Sequence, residues 1–182
     1  MRTRIRRCLL NLWKGLLAIT LCVGLSQVQA SVRSEYEVKA AFLYNFTRFI
    51  NWNQPPSEDT PLTVCVLGDD PFEDLLDPLV GRKAHGRVLQ LRTPSEQTEM
   101  SGCHVLFVSE SERFNLRAIL EQATRQGMLT ISDIPDFTRH GGIVGYVKQG
   151  NVIRFEINLL AAGEAGLTIN SRLLELAAKV IR

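Results

Sequence analysis

The chain has 182 residues, a mass of 20.4 kDa, 45% hydrophobic and 22% charged residues, and a formal charge of +2. This composition suits one globular domain with a real core and excludes wholesale disorder, a collagen-like fibre and a multi-span membrane protein. The charge is unevenly placed: residues 1–30 hold five of the 21 Lys/Arg and no acid, leaving 16 basic against 19 acidic groups in the remainder. A basic nucleic-acid surface is therefore not expected.

Residues 1–30 read as an export signal. Arg2, Arg4, Arg6 and Arg7 form a positive start, an apolar run follows from Cys8 to Leu25 with Asn11 and Lys14 inside it, and Val28-Gln29-Ala30 presents small residues at the −3 and −1 positions before Ser31. The stretch Gly15–Leu25 is too short to cross a hydrocarbon core of about 30 Å, which argues against a retained anchor. Leu21 before Cys22 argues against a lipoprotein signal. Removal at Ala30 leaves an exported domain at 31–182, with Cys65 and Cys103 as its only cysteines. An even number in an oxidising compartment permits one bridge, while two buried thiols in apolar runs are the other reading.

Ser34 and Glu37 have capping-box spacing, so a helix is expected from about residue 34 to Ile50, ending before Pro55-Pro56. Its body is apolar on nearly every face, and six aromatics lie between Tyr36 and Trp52. One side can serve the core. The other makes Tyr44, Phe46, Phe49 and Trp52 candidates for a partner-binding surface, the alternative being a helix packed deep between sheet and loops.

Leu62–Leu67 is a continuous apolar run ending at Gly68-Asp69-Asp70, the pattern of a strand buried on both faces. Pro71–Val80 reads as helix with Asp70 as its cap. Val88–Leu91 is a weaker strand, Pro94–Met100 a short helix, and Cys103–Val108 a strand. Glu112–Arg125 is an amphipathic helix that buries Phe114, Leu116, Ile119, Leu120 and Ala123, and Met128–Ile131 is a further strand. This alternation predicts a mixed α/β domain built on a mostly parallel, doubly wound sheet with flanking helices. Then the grammar changes. Ile143–Lys148 and Val152–Asn158 read as a C-terminal antiparallel hairpin, with Ile153, Phe155 and Ile157 on one face and Arg154, Glu156 and Asn158 on the other. Helices at Leu159–Ala165 and Ser171–Arg182 close the chain.

In an open parallel sheet, ligands sit beyond the carboxyl ends of the strands, which makes Asp69, Asp70, Ser109 and Asp133 ligand-crevice candidates. Helix capping explains the same residues without any ligand. His85, His104 and His140 lack metal-ligand spacing, and His104 in an apolar strand reads as a hydrogen-bonded core or half-buried histidine. No zincin, thiol-redox, nucleophile-elbow or dinucleotide signature is present, so no catalytic residue, metal or cofactor is assigned and binding is favoured over catalysis.

Several segments in order, Lys39–Phe46 with Phe49 and Trp52, Cys65–Phe72, Cys103–Ser109, Thr130–Asp133, Gly141–Ile143, Arg154–Asn158 and Ser171–Leu174, resemble the YfiR-like family of periplasmic proteins across essentially all of residues 31–182. The resemblance implies a repressor without catalysis, which binds the periplasmic sensor region of an inner-membrane diguanylate cyclase and lowers cyclic-di-GMP synthesis and biofilm formation. It also implies sequestration by an OmpA-like outer-membrane lipoprotein, a homodimer, and a disulfide between Cys65 and Cys103. A second family bridge near the late hairpin has no counterpart, because no cysteine follows Cys103. The residues and the resemblance together suggest a docking surface of Phe46, Phe49 and Trp52 joined by Arg154 and Glu156 of the hairpin. A small-ligand sensor using the strand-end crevice and an unrecognised hydrolase are the rival readings.

Overall fold

Leu62-Thr63-Val64-Cys65-Val66-Leu67 carries no charge, and it forms a strand buried at every one of its six residues. The computed structural model describes residues 33–53, 57 and 59–182, so the expected signal at 1–30 lies outside the described residues. The chain divides into two units, Met1–Tyr36, of which only residues 33–36 are described, and Glu37–Arg182, which holds the sheets and their flanking helices.

Helix α1 spans residues 33–49. The strands are β1 (Ile50–Trp52), β2 (Leu62–Leu67), β3 (Lys83–Ala84), β4 (Arg87–Arg92), β5 (Val105–Val108), β6 (Leu129–Ser132), β7 (Val144–Gln149), β8 (Val152–Asn158), β9 (Leu167–Ile169) and β10 (Lys179–Ile181). Helices α2 (Leu116–Arg125), α3 (Leu159–Glu164) and α4 (Ser171–Leu176) complete the unit. The main sheet has the order β10-β8-β7-β6-β5-β2-β4-β3. Its five central strands, β4-β2-β5-β6-β7, are parallel, while β3 and β8 run antiparallel to their neighbours β4 and β7. The expected mixed, mostly parallel sheet with a late hairpin is what forms.

Register defines the two faces. Val66 lies beside Phe107, Phe107 beside Ile131, Ile131 beside Val144, and Tyr146 beside Phe155. This face receives α1: the Phe46 ring meets Phe155 at 5.0 Å and Tyr146 at 5.9 Å, and Phe42 meets Phe155 at 5.4 Å. The opposite face carries Cys65, Leu67, Leu106 and Val108 against Leu116, Ile119, Leu120 and Ala123 of α2. The sheet is thus doubly wound, and β2, β5 and β6 bury both of their sides, while β4 alternates buried and exposed residues. The Cys65–Cys103 disulfide forms on the α2 side, with Cα atoms 5.8 Å apart.

Several elements differ from expectation. Residues 33 and 34 are already helical, so Ser34 does not cap α1. The helix stops at residue 49, because Ile50–Trp52 pairs antiparallel with β9 in a two-stranded sheet of its own. Leu167–Ile169, between the two expected closing helices, is that partner. The expected helices at Pro71–Val80 and Pro94–Met100 are 3₁₀ segments, Glu73–Leu79 and Gln97–Met100. Pro78 inside the first removes a backbone donor and disfavours a continued α-helix. Asp70 still tethers that corner, its carboxylate accepting the Phe72 N–H at 2.8 Å. Helix α2 starts at Leu116, behind a 3₁₀ turn at Glu110–Glu112, which leaves Phe114 outside the buried stripe at 89% exposure. Finally, α4 ends at Leu176 and Lys179–Ile181 joins the sheet beside β8, where a single helix to Arg182 was expected. No helix among the described residues is long and apolar enough to cross a membrane.

Candidate partner-binding surface

Helical geometry sorts the aromatic run of α1. Leu43, Phe46, Thr47 and, at its end, Ile50 point into the sheet and are fully buried. Phe46 therefore belongs to the core and is removed from any docking surface. Tyr44 lies off that stripe and is half-buried, and Phe49 is half-buried at the end of the helix, its carbonyl accepting the Asn170 N–H at 3.0 Å. Arg48, one turn beyond Tyr44, places its guanidinium 5.8 Å from the Tyr44 ring centre, while Arg82 approaches the same ring at 5.2 Å. The Tyr44 hydroxyl donates a long bond, 3.4 Å, to the Lys83 carbonyl.

Trp52 is held by the small sheet. It pairs with Leu167 of β9, and the following Asn53 N–H donates to the Gly166 carbonyl at 2.9 Å. The indole N–H donates to the Gly127 carbonyl at 3.1 Å, and the ring meets His85 edge-on at 6.1 Å. Its one donor is satisfied and its ring is half-buried, so the fold fixes Trp52 while leaving part of it exposed. His85 itself sits at φ 51 and Gly86 at φ 79, the paired positive angles of a tight hairpin turn between β3 and β4.

A cleft of about 610 Å³ opens beside Trp52, lined also by Cys103, His104, Arg125, Gly127 and Glu164. It lies at the amino-terminal ends of β5 and β6, the end opposite to the expected crevice. His104 is half-buried, as its sequence position implied, and its Nδ1 accepts the Thr63 N–H at 3.0 Å. Burial first, and the Arg87 charge second, hold its pKa below the usual histidine value, so the ring enters the site neutral.

The hairpin does not join this surface. Glu156 lies beside Gly145, Gly145 beside Ser132, and Ser132 beside Val108, which packs on α2. Arg154 and Glu156 therefore point to the face opposite α1, as alternation requires once Phe155 packs on Phe42 and Phe46. Arg154 is exposed; Glu156 is half-buried and accepts from the Thr138 hydroxyl at 3.0 Å. Asn158, on the same expected polar face, is buried because its side-chain oxygen caps α3 at the Ala161 N–H and its amide donates to the Thr138 carbonyl.

Of the strand-end residues, the fold engages the side chains of Asp70 and Asp133. Asp69 and Asp70 are exposed, and Asp69 offers its backbone N–H to the Ser111 hydroxyl at 2.9 Å. That hydroxyl fills the switch point between β2 and β5, where a Cβ on Gly68 would collide with it. Ser109 is buried, and its hydroxyl has no partner among the described residues. Asp133 pairs with Lys39 at 2.7 Å. It lines a cleft of about 280 Å³ shared with Glu156, which brings together two residues assigned to different sites from sequence. Among the described residues no His, Cys, Asp or Glu group has the makings of a metal site.

Arg82 and Lys83 follow a 3₁₀ segment and carry no motif, and His85 is weighed in sequence only against metal-ligand spacing. The available signal was the His85-Gly86 turn itself. Among known proteins, the family described as YfiR/HmsC-like matches residues 36–178. No curated protein matches the chain. Among solved structures, the chain is similar to a conserved domain protein from Vibrio cholerae, with TM-score 0.49 and 13% identity over 65% of this chain and 54% of that one. It is also similar to the ABC domain in complex with L-Trp from Streptococcus pneumonia, with TM-score 0.48 and 12% identity over 65% and 55%. The chain thus spans about half the length of these solved chains.

Proposed function

Because this chain belongs to the YfiR/HmsC-like family, we propose that it is an exported, non-catalytic regulator of cyclic-di-GMP signalling. In this reading the signal at residues 1–30 is cleaved after Ala30, and residues 31–182 act in the periplasm. There the protein binds the periplasmic sensor region of an inner-membrane diguanylate cyclase and represses it, lowering biofilm formation. An OmpA-like outer-membrane lipoprotein relieves the repression by sequestering the protein, which also self-associates as a homodimer.

One observation carries the docking part of this reading: Tyr44 and Trp52 are ordered by contacts to the fold yet remain half-exposed, with Arg48 and Arg82 against the first. Tyrosine, tryptophan and arginine are the residue types that dominate interface energetics. Repression follows from mass action, since a protein that binds only one conformation of a sensor shifts its equilibrium toward that state. Crosslinking in cells followed by mass spectrometry tests the reading. The expected result is a cyclase sensor region attached at the Tyr44–Trp52 side, with raised cyclic-di-GMP when the gene is deleted. Unaltered cyclic-di-GMP and no crosslinked cyclase overturn it.

The cleft beside Trp52 favours a second reading, a small-ligand sensor. A ligand-dependent rise in melting temperature that Trp52→Ala abolishes supports that reading, and a flat response across a metabolite panel removes it.

A further inference from the structure

The surface around Tyr44 is positively charged in a domain whose residues 31–182 are net negative. Arg48, Arg82, Lys83 and His85 are all exposed. Two of them stand against one aromatic ring, at 5.8 and 5.2 Å, and a third supplies the carbonyl that the ring's hydroxyl contacts. None of Arg48, Arg82 or Lys83 has a carboxylate partner among the described residues. Elsewhere on the surface, Arg113, Arg117 and Arg139 each hold a carboxylate three or four residues away. Two residues beyond His85, Arg87 is 7% exposed, and its buried Nε lacks an acceptor among the described residues. Cations gathered on one patch without counter-charges repel each other weakly in water and gain most when an anion approaches.

We propose that this patch docks an extended acidic segment of a protein partner. Carboxylates of that segment sit between Arg48, Arg82 and Lys83, and an apolar side chain covers Tyr44 and Trp52. The proposal rests on the reading that the protein works by capturing another macromolecule, and it specifies the chemistry of what is captured. A bilayer surface is the weaker occupant, because the half-buried aromatic rings are fixed by the fold and suit a defined partner.

The test is calorimetric titration of the protein with a synthetic peptide alternating Glu and Leu, with a Gln/Leu control and with vesicles rich in phosphatidylglycerol. The Glu/Leu peptide is expected to bind, to weaken with salt, and to lose about tenfold or more in affinity in the Arg48→Glu/Arg82→Glu variant. Arg48→Gln/Arg82→Gln, milder for folding, is expected to fall between. Equal binding of the Gln/Leu control, unaltered affinity in both double variants, or binding to vesicles alone overturns the proposal. Capture of the cyclase sensor region that charge reversal leaves untouched also overturns it, while the regulatory function stands. Peptide binding with no capture of the sensor region removes that function and keeps the acidic docking surface.

Discussion

The Lys39 ammonium lies 2.7 Å from the Asp133 carboxylate, with side chains 4% and 15% exposed, and so ties α1 to the carboxyl end of β6. The backbone reinforces the tie, because the Lys39 carbonyl accepts the Tyr146 hydroxyl at 2.7 Å. Burial, and next the Asp133 charge, push the Tyr146 pKa well above its ordinary range, so this hydroxyl remains a donor. Removing one partner of such a pair costs stability, because the remaining charge was desolvated in part against the one removed. Lys39→Met is expected to destabilise by about 3–5 kcal/mol in urea unfolding. Restoring balance with Lys39→Met/Asp133→Leu is expected to recover most of that loss. Equal loss in the single and double variants would show that the pair's charges do not carry the effect.

The disulfide joins residues 38 apart in sequence. Loop-closure entropy assigns such a bridge about 3–4 kcal/mol, acting through the unfolded chain. Cys65→Ala/Cys103→Ala is accordingly expected to melt well below the parent, and the parent with dithiothreitol is expected to approach the variant. A melting temperature indifferent to reductant contradicts this.

His104 makes stability depend on pH in a defined direction. Its folded pKa is lowered by burial and Arg87, so below the unfolded value of 6.5 the unfolded chain takes up a proton that the folded chain resists. Stability is therefore unaffected by this residue above that pH and falls as pH drops beneath it. Protonation also removes the Nδ1 acceptor for the Thr63 N–H. In denaturant titrations at about pH 7.5 and about pH 5.5, on either side of the ordinary histidine value, His104→Gln is expected to show a smaller drop between the two than the parent.

Trp52 and Phe46 separate docking from packing. Phe46→Ala empties a fully buried site between Phe155 and Tyr146 and is expected to cost about 3–5 kcal/mol of stability. Trp52→Ala is expected to weaken partner capture by about 2 kcal/mol or more. Trp52→Phe removes the bond to Gly127, about 0.5–1.5 kcal/mol, together with part of the ring's contact area, and keeps an aromatic side chain at the surface. Unchanged capture with a lowered melting temperature would reassign Trp52 to the core.

The strands β2, β5, β6 and the β7–β8 hairpin were legible because runs such as Leu62–Leu67 and the alternation through Ile153–Ile157 are long enough to show a period. The strands β1 and β9 have three residues each, too few for any period, and they exist because each supplies the other's hydrogen bonds. Phe114 matched helical spacing and still lies outside α2, since the 3₁₀ turn at Glu110–Glu112 shifts the helix start past it. Of the aromatic candidates, spacing alone could not tell Phe46 from Tyr44. The side of α1 that meets Phe155 decides.

From its residue order alone, this chain commits to a mixed α/β domain. Uncharged apolar runs must be buried on both faces, and helices must alternate with them to do the covering. Family membership is likewise written there, in ordered segments that need no coordinates to compare. Which side chains share a surface is another matter. Tyr44 and Arg82 lie on a helix and a turn far apart in the chain, and they meet because α1 packs on the sheet with its Phe46 side down. Arg154 and Glu156 look equally exposed in sequence but point the other way, because pleating sends neighbours of Phe155 through to the α2 face. Burial of one aromatic residue on a shared sheet thus determined which of the charged ones could stand together.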